Sequence, residues 1–190
     1  AGVDAVVAEG FEAGGHNGFD EDTTMTLIPQ VKKEISIPLI AAGGIATGRG
    51  MLGALALGAD GVQIGSRFAA SKESSAHDNF KKSIIDAKNG DTMLTLKKLI
   101  PVRLIKNEFY KRVAELEQLG ATKEKFINLL GKGRAKKGMF EGDLDEGELE
   151  IGQISALIDE IKPANEIMKD IISEYKLSIR QILQDTKFLV

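Results

Sequence analysis

An α/β fold built on a parallel sheet is predicted by three stretches in the first third of the chain. The apolar run Pro38-Leu39-Ile40-Ala41-Ala42 ends in Gly43-Gly44, and a helical pattern starts a few residues later. A second run, Gly61-Val62-Gln63-Ile64, ends in Gly65-Ser66 one αβ unit further on. A third, Ala5–Glu9, precedes both and runs into a loop rich in glycine. Short apolar runs closed by glycine and spaced by helix-length segments are the pattern of parallel strands joined by crossovers. Strand ends of this kind suit a phosphate, because glycine lets the backbone come close and the following N–H groups point at the anion. In a (β/α)8 barrel the loops after the last two strands commonly form such a site. The alternative at Gly43-Gly44 and Gly65-Ser66 is a pair of tight turns without a ligand.

Taken in order, Ala5–Glu9 reads as a buried strand. Gly10-Phe11-Glu12-Ala13-Gly14-Gly15-His16-Asn17-Gly18 carries too much glycine for helix or strand and is expected to be a loop, holding one of the two histidines. Thr24 or Thr26 is suited to cap the next helix, whose apolar face is Leu27, Ile28, Val31 and Ile35, with Pro29 tolerable only in the first turn. After Pro38–Ala42 a helix is expected over Arg49–Leu57, with Met51, Leu52, Leu55 and Ala56 inward and Gly58 as its stop. Beyond Ala70 strand signals fade. Helices are expected at Ser74–Ala87, Met93–Leu116 and Lys123–Leu130, then in a segment with Ile151, Ile154, Leu157, Ile158 and Ile161. A last helix opens with Pro163 in its first turn and has Ile167, Met168, Ile171, Ile172 and Tyr175 on one face; the tail Leu177–Val190 continues as helix. Three parallel strands cannot bury themselves, and the chain starts at Ala1 rather than Met. It is therefore expected to be the C-terminal part of a longer protein.

Composition narrows the function. The 190 residues are 43% hydrophobic and 28% charged, an ordinary globular profile. The net charge of −3 argues against nucleic acid as main partner. There is no cysteine, hence no disulfide, zinc-thiolate site or thiol nucleophile, and no metal site is expected. No apolar run approaches the ~18 residues of a membrane span and no signal peptide is visible, so a cytoplasmic protein without membrane contact is expected.

The motifs Glu12–His16 (EAGGH), Ala41–Ile45 (AAGGI) and Gly61–Phe68 (GVQIGSRF) resemble the nitronate monooxygenase (2-nitropropane dioxygenase) / enoyl-ACP reductase II family of FMN-dependent TIM-barrel enzymes. The resemblance runs through nearly the whole chain, in order. Val102–Asn107 (VRLIKN), Leu116–Ala121 (LEQLGA) and Glu141–Ile158 (EGDLDEGELEIGQISALI) are similar to the enoyl-ACP reductase branch in particular. It implies an incomplete barrel: strands six to eight within 1–70, a helical lid or substrate region over 71–150, and helices packing on the barrel over 151–190. The missing N-terminal half of the barrel would be required.

The family match also implies site residues. Gly43, Gly44, Gly65 and Ser66 would hold the FMN phosphate, with Ala42 and Gln63 at the same strand ends. Gly14 and Gly15 would let their loop pass the isoalloxazine edge, and Glu9 would accept a hydrogen bond from the flavin, a solvated carboxylate being the alternative. His16 is the implied catalytic residue, a base for nitronate oxidation or a proton and substrate positioner in enoyl reduction; imidazole titrates near working pH, so either is chemically sensible. His77 reads as an exposed polar residue at a helix start. Lys132, Arg134, Lys136 and Lys137 read as solvated surface or as a docking patch for an acidic acyl carrier protein. Asp143, Asp145, Glu146 and Glu148 read as a solvated linker, since the spacing of a calcium loop is absent. The implied activity is NAD(P)H-dependent reduction of an enoyl thioester, free or carrier-bound, in fatty-acid synthesis. The alternatives are nitronate oxidation with O2 and a flavin- or phosphate-binding module without chemistry. A homodimer is compatible with the family.

Overall fold

The computed structural model describes residues 2–184, and the last part of the tail expected to be helical (185–190) lies outside the described residues. Strands β1 (Val6–Glu9), β3 (Leu39–Ala42) and β4 (Gly61–Gln63) form a parallel sheet in the order β1-β3-β4. Helices α1 (Thr24–Glu34) and α2 (Gly48–Ala56) make the crossovers. The register sets Ala8 beside Ala41 and Val62, and this face packs with Ile28, Leu39 and Ala54 into a core under the helices. The opposite face carries Val7, Ile40 and Gly61 in one row, and Val7 is 50% exposed. Parallel sheets are ordinarily covered on both faces, so this one is half of such an arrangement.

Helix boundaries follow local chemistry. Thr47 caps α2 by accepting from Gly50 N (3.0 Å), and Gly58 ends it at φ +106°. The long helix α8 (Ala164–Gln184) lies against α2, and Gly48 permits the contact: a Cβ there would stand 2.2 Å from Tyr175 N. Glu174 on α8 accepts from Gly48 N (2.7 Å), placing a carboxylate at the positive end of α2. The inward set differs from the one expected for α2: Ala54 is buried in the core over the sheet, and Ala56 is exposed. On α8, Ile167, Ile171 and Ser178 are buried while Met168 points out, and Pro163 sits just before the first turn, where its carbonyl accepts from Glu166 and Ile167. Thr23 rather than Thr24 or Thr26 stands at the N-cap position of α1, without a side-chain capping bond, which puts Pro29 in the helix's second turn.

Beyond the parallel sheet the chain departs further from expectation. A short helix α3 (Ser66–Ala69) leads to α4 (Asp78–Asp86), inside the expected span. The single helix expected over Met93–Leu116 is instead a hairpin, β5 (Thr92–Thr95) and β6 (Val102–Ile105), followed by α5 (Glu108–Gln118). Pro101 lacks the N–H an unbroken helix needs, and Leu96 turns at φ +58°. Gly15–His16, expected to be loop, form β2, which pairs antiparallel with β6. Helices α6 (Lys123–Leu130) and α7 (Arg134–Met139) follow, and the segment with Ile151–Ile161 tightens only into a 3₁₀ turn, Gln153–Leu157, under Ile158.

The uncovered sheet face carries a prediction. The 190-residue chain alone should not give a stable flavin-loaded monomer, because the Val7–Ile40 row and the edges of β1 and β4 are open to association. Sedimentation and thermal melting test this. A soluble monomer that melts cooperatively and holds flavin would contradict it.

Candidate functional site

The register brings Glu9, Ala42 and Gln63 side by side at the C-terminal ends of the three parallel strands. A cleft of about 260 Å³ opens above them. Its wall includes Glu9, Gly14, Ala42, Gly43, Gly44, Gln63, Gly65 and Ser66, eight of the ten residues singled out from the sequence. Gly15 and His16 stand beside the cleft rather than in its wall.

The turn after β3 is built for glycine. Gly43 and Gly44 have φ +92° and +68°, and a Cβ on Gly43 would stand 2.8 Å from Gly10 O. Thr24, at the start of α1, fixes this turn: its hydroxyl donates to Gly43 O (2.9 Å) and its amide to Glu12 Oε2 (2.9 Å). The amides of Gly43, Gly44 and Gly65 donate to no acceptor among the described residues. Gly65 is informative in another way. Its φ of −92° suits any residue, and a Cβ there would meet nothing within 4 Å. Neither conformation nor packing demands glycine, and the space beside it belongs to the cleft. The Ser66 hydroxyl accepts from Gly152 N (3.0 Å) and keeps its own hydrogen to donate.

The glycines of the EAGGH loop have internal reasons to be small. A Cβ on Gly14 would stand 2.3 Å from the Ile151 carbonyl carbon. Gly15 has φ +78°, and its Cβ would stand 2.7 Å from a Glu150 carboxylate oxygen. The segment Glu150–Gln153 therefore lies directly on this loop, with Gln153 N donating to Glu12 O (2.9 Å). On the loop's other side, Arg103 of β6 is 1% exposed; its Nη2 and Nε donate to Phe11 O (2.8 and 3.1 Å), and the guanidinium stacks on the Phe11 ring. Burial lowers its proton affinity below the usual arginine range. His16 itself is exposed, held at the end of this frame by pairing with Val102.

Several residues of the site were not read from the sequence. Glu12, Met139, Glu150, Ile151 and Ile154 all border the cleft. The acids expected to form a solvated linker are mostly engaged. Asp143 Oδ1 accepts from the Glu146 and Asp145 amides, Glu146 bridges Arg112 and Arg134, and Glu148 is only 6% exposed. The alternation Glu148-Leu149-Glu150-Ile151 was the available signal, because it sends both carboxylates to one side of an extended chain. Burial, with Glu150 adding to it and Arg134 opposing, pushes the Glu148 carboxyl up to about 7. Burial also raises Glu150, against the pull of His16, and Glu9.

The basic cluster is divided between the fold and the surface, where Lys132 and Lys136 are exposed. Arg134 donates to the carbonyls of Leu129, Leu130 and Glu146 and stacks on Phe109, Lys136 pairs with Glu141 and Lys137 with Asp143. His77 is exposed, as expected, and caps α4 by accepting at Nδ1 from Asn79 N (3.1 Å).

A model of the nitronate monooxygenase family matches residues 1–174. The chain belongs to this family. A protein of Staphylococcus aureus described as a probable nitronate monooxygenase is 38% identical over 196 residues, covering 97% of this chain and 53% of its own length. The solved structure of FabK from Thermotoga maritima shares 43% identity at a TM-score of 0.88, covering 95% of this chain and 57% of that one. Nitroalkane oxidase from Streptomyces ansochromogenes shares 30% at 0.79, covering 95% and 54%. This chain thus spans about half the length of these relatives, and its parallel strands are part of the family's (β/α)8 barrel. No helix among the described residues is long and apolar enough to cross a membrane.

Glu148, buried two residues before Glu150 of the cleft wall, makes the fold sensitive to pH. Its carboxyl binds a proton more tightly folded than unfolded, where it would titrate near 4.5. Its contribution is therefore complete below that pH and is lost as pH rises through about 7, a change of at most roughly 3 kcal/mol. Melting temperatures of the complete protein should fall across this window, and Glu148→Gln should flatten the fall. Equal slopes in the two proteins would refute this.

Proposed function

We propose that the complete protein is an FMN-dependent oxidoreductase that reduces the double bond of an enoyl thioester with NAD(P)H. The observation that carries the flavin part is the cluster of unpartnered amides at Gly43, Gly44 and Gly65 beside an open space at Gly65. Such donors at strand ends fit a phosphate without any lysine or arginine. In this reading the three amides and the Ser66 hydroxyl hold the FMN phosphate, while Gln63 and Glu9 face the polar parts of the same group. FMN, when bound, supplies the hydride chemistry. His16 holds the proton that the substrate carbon takes up. Met139, Ile151 and Ile154 exclude water from the cleft.

The description of the staphylococcal relatives supports a second reading, nitronate oxidation with O2. Two features favour the thioester. No lysine or arginine is present in the described cleft wall to pair with a nitronate anion, and the side formed by Met139, Ile151 and Ile154 is apolar, as an acyl chain requires. The identity to FabK, above that to the nitroalkane oxidase, points the same way. An acyl carrier protein is the less supported form of the substrate, since Arg134, Lys136 and Lys137 are already paired within the chain.

Two measurements test this on the complete protein. NAD(P)H oxidation in air should be slow and should accelerate strongly on adding crotonoyl-CoA, with little oxygen uptake on nitroalkane. Faster nitronate-dependent oxygen uptake would give the second reading. Separately, Gly65→Val should strip FMN while leaving the melting temperature of the flavin-free protein nearly unchanged, because a Cβ there has no protein atom within 4 Å. Equal losses of flavin and stability would return Gly65 to a turn residue.

A further inference from the structure

We propose that Thr24 gives the cleft its preference for a phosphate, by holding the Gly43–Gly44 peptide in the orientation that presents an N–H rather than a carbonyl oxygen. The inference rests on the flavin-phosphate part of the reading above and is independent of which substrate the flavin serves.

A carbonyl and the N–H that follows it belong to one planar trans unit and point in opposite directions. Whatever fixes Gly43 O therefore fixes the Gly44 N–H. Glycine tolerates both signs of φ, so a Gly-Gly peptide turns over at little steric cost. Gly43 and Gly44 stand at φ +92° and +68°, and neither amide has an acceptor among the described residues. Turned over, the same peptide would set the Gly43 oxygen where the Gly44 N–H now stands, and an oxygen repels an anion. The described cleft wall holds no lysine or arginine, so the direction of these amides decides whether an anion is attracted.

Thr24 removes the freedom to turn. Its hydroxyl lies 2.9 Å from Gly43 O, 3.1 Å from Glu12 Oε2 and 3.3 Å from Ala42 O. A hydroxyl has one hydrogen to give. The Glu12 carboxylate is already supplied by the Thr24 amide, at 2.9 and 3.2 Å, which leaves the hydroxyl hydrogen to the nearest acceptor, Gly43 O. The donor is itself held firmly. Thr24 is buried at the start of α1, and its branched side chain has few rotamers. Gly10 makes the approach possible, because a Cβ there would collide with the Thr24 hydroxyl and amide. Gly10 N also donates to Ala42 O (3.0 Å), which fixes the preceding peptide and with it the direction of the Gly43 N–H. Two consecutive amides are thus held from behind. Thr24 is not part of the cleft wall itself, so it acts through Gly44 as a positioning residue.

The test titrates the flavin-free form of the complete protein with FMN and with riboflavin, which lacks the phosphate. The parental protein should bind FMN far more tightly than riboflavin. Thr24→Val and the smaller Thr24→Ala should raise the Kd for FMN about tenfold, as loss of a hydrogen bond to a charged group does, and leave the Kd for riboflavin within about twofold. Thr24→Ser keeps the hydroxyl and should keep the parental ratio of the two. If valine disrupts folding, alanine carries the comparison. A merely structural role would weaken both flavins alike. Equal losses for FMN and riboflavin, or an FMN preference that survives removal of the hydroxyl, overturns the proposal while leaving the phosphate reading in place. A parental protein that binds riboflavin as tightly as FMN overturns the phosphate reading, and the role of Thr24 with it.

Discussion

The contact between Gly14 and the Ile151–Gly152 backbone is the constraint from which the site follows. Two chain segments more than a hundred residues apart in sequence cross with no side chain between them, because a Cβ on Gly14 would stand 2.3 Å from Ile151. The crossing lets Gln153 N reach Glu12 O and Gly152 N reach Ser66 Oγ. Each bond contributes about 1 kcal/mol net, yet together they tie the loop after β1, the turn after β4 and the segment after the helical region into one wall. Glu12 passes the tie on to Thr24, and Thr24 to Gly43. The cleft over the strand ends is therefore bounded by elements from the whole chain, although its floor comes from three short strands.

How much of this was legible depends on whether the deciding force was local. Strands β1, β3 and β4 were legible because apolar runs broken by glycine have few other solutions. Their register at Glu9, Ala42 and Gln63 then follows from where each run ends. The hairpin β5–β6 was not legible, since Met93-Leu94-Thr95-Leu96 followed by Leu99-Ile100 also satisfies a helical period. What selects the hairpin is Pro101, together with a docking surface: β6 pairs with both β5 and β2, and Leu104 and Phe109 fill a core with Val113 and Phe126. His16 acquires a strand in the same way, from a partner far along the chain.

The charged segment after Gly131 was legible only in part, for a related reason. Lysine and glutamate runs in a sequence suggest water, because isolated charges avoid burial. Here the opposite signs fall close enough to satisfy one another. Arg134 serves three carbonyls and Glu146, and lies on Phe109, so it behaves as a structural pin. Composition records the charges but not their pairing. Gly14 and Gly15 show the converse: protein atoms of Ile151 and Glu150, far along the chain, already require them to be small.

Burial links the two chemical properties the cleft has to combine. Glu9, Glu12 and Glu150 border the space proposed for a phosphate, and three full negative charges there would oppose an anion. Glu12 is neutral in effect toward the cleft only as far as the Thr24 amide and hydroxyl absorb it. Glu9 and Glu150 are relieved differently, because burial disfavours their ionised forms and raises both carboxyls. The same desolvation thus eases anion binding at Gly43, Gly44 and Gly65 beside an acidic wall. Glu148 sharpens the arrangement, since any charge it gains raises the cost of charging Glu150.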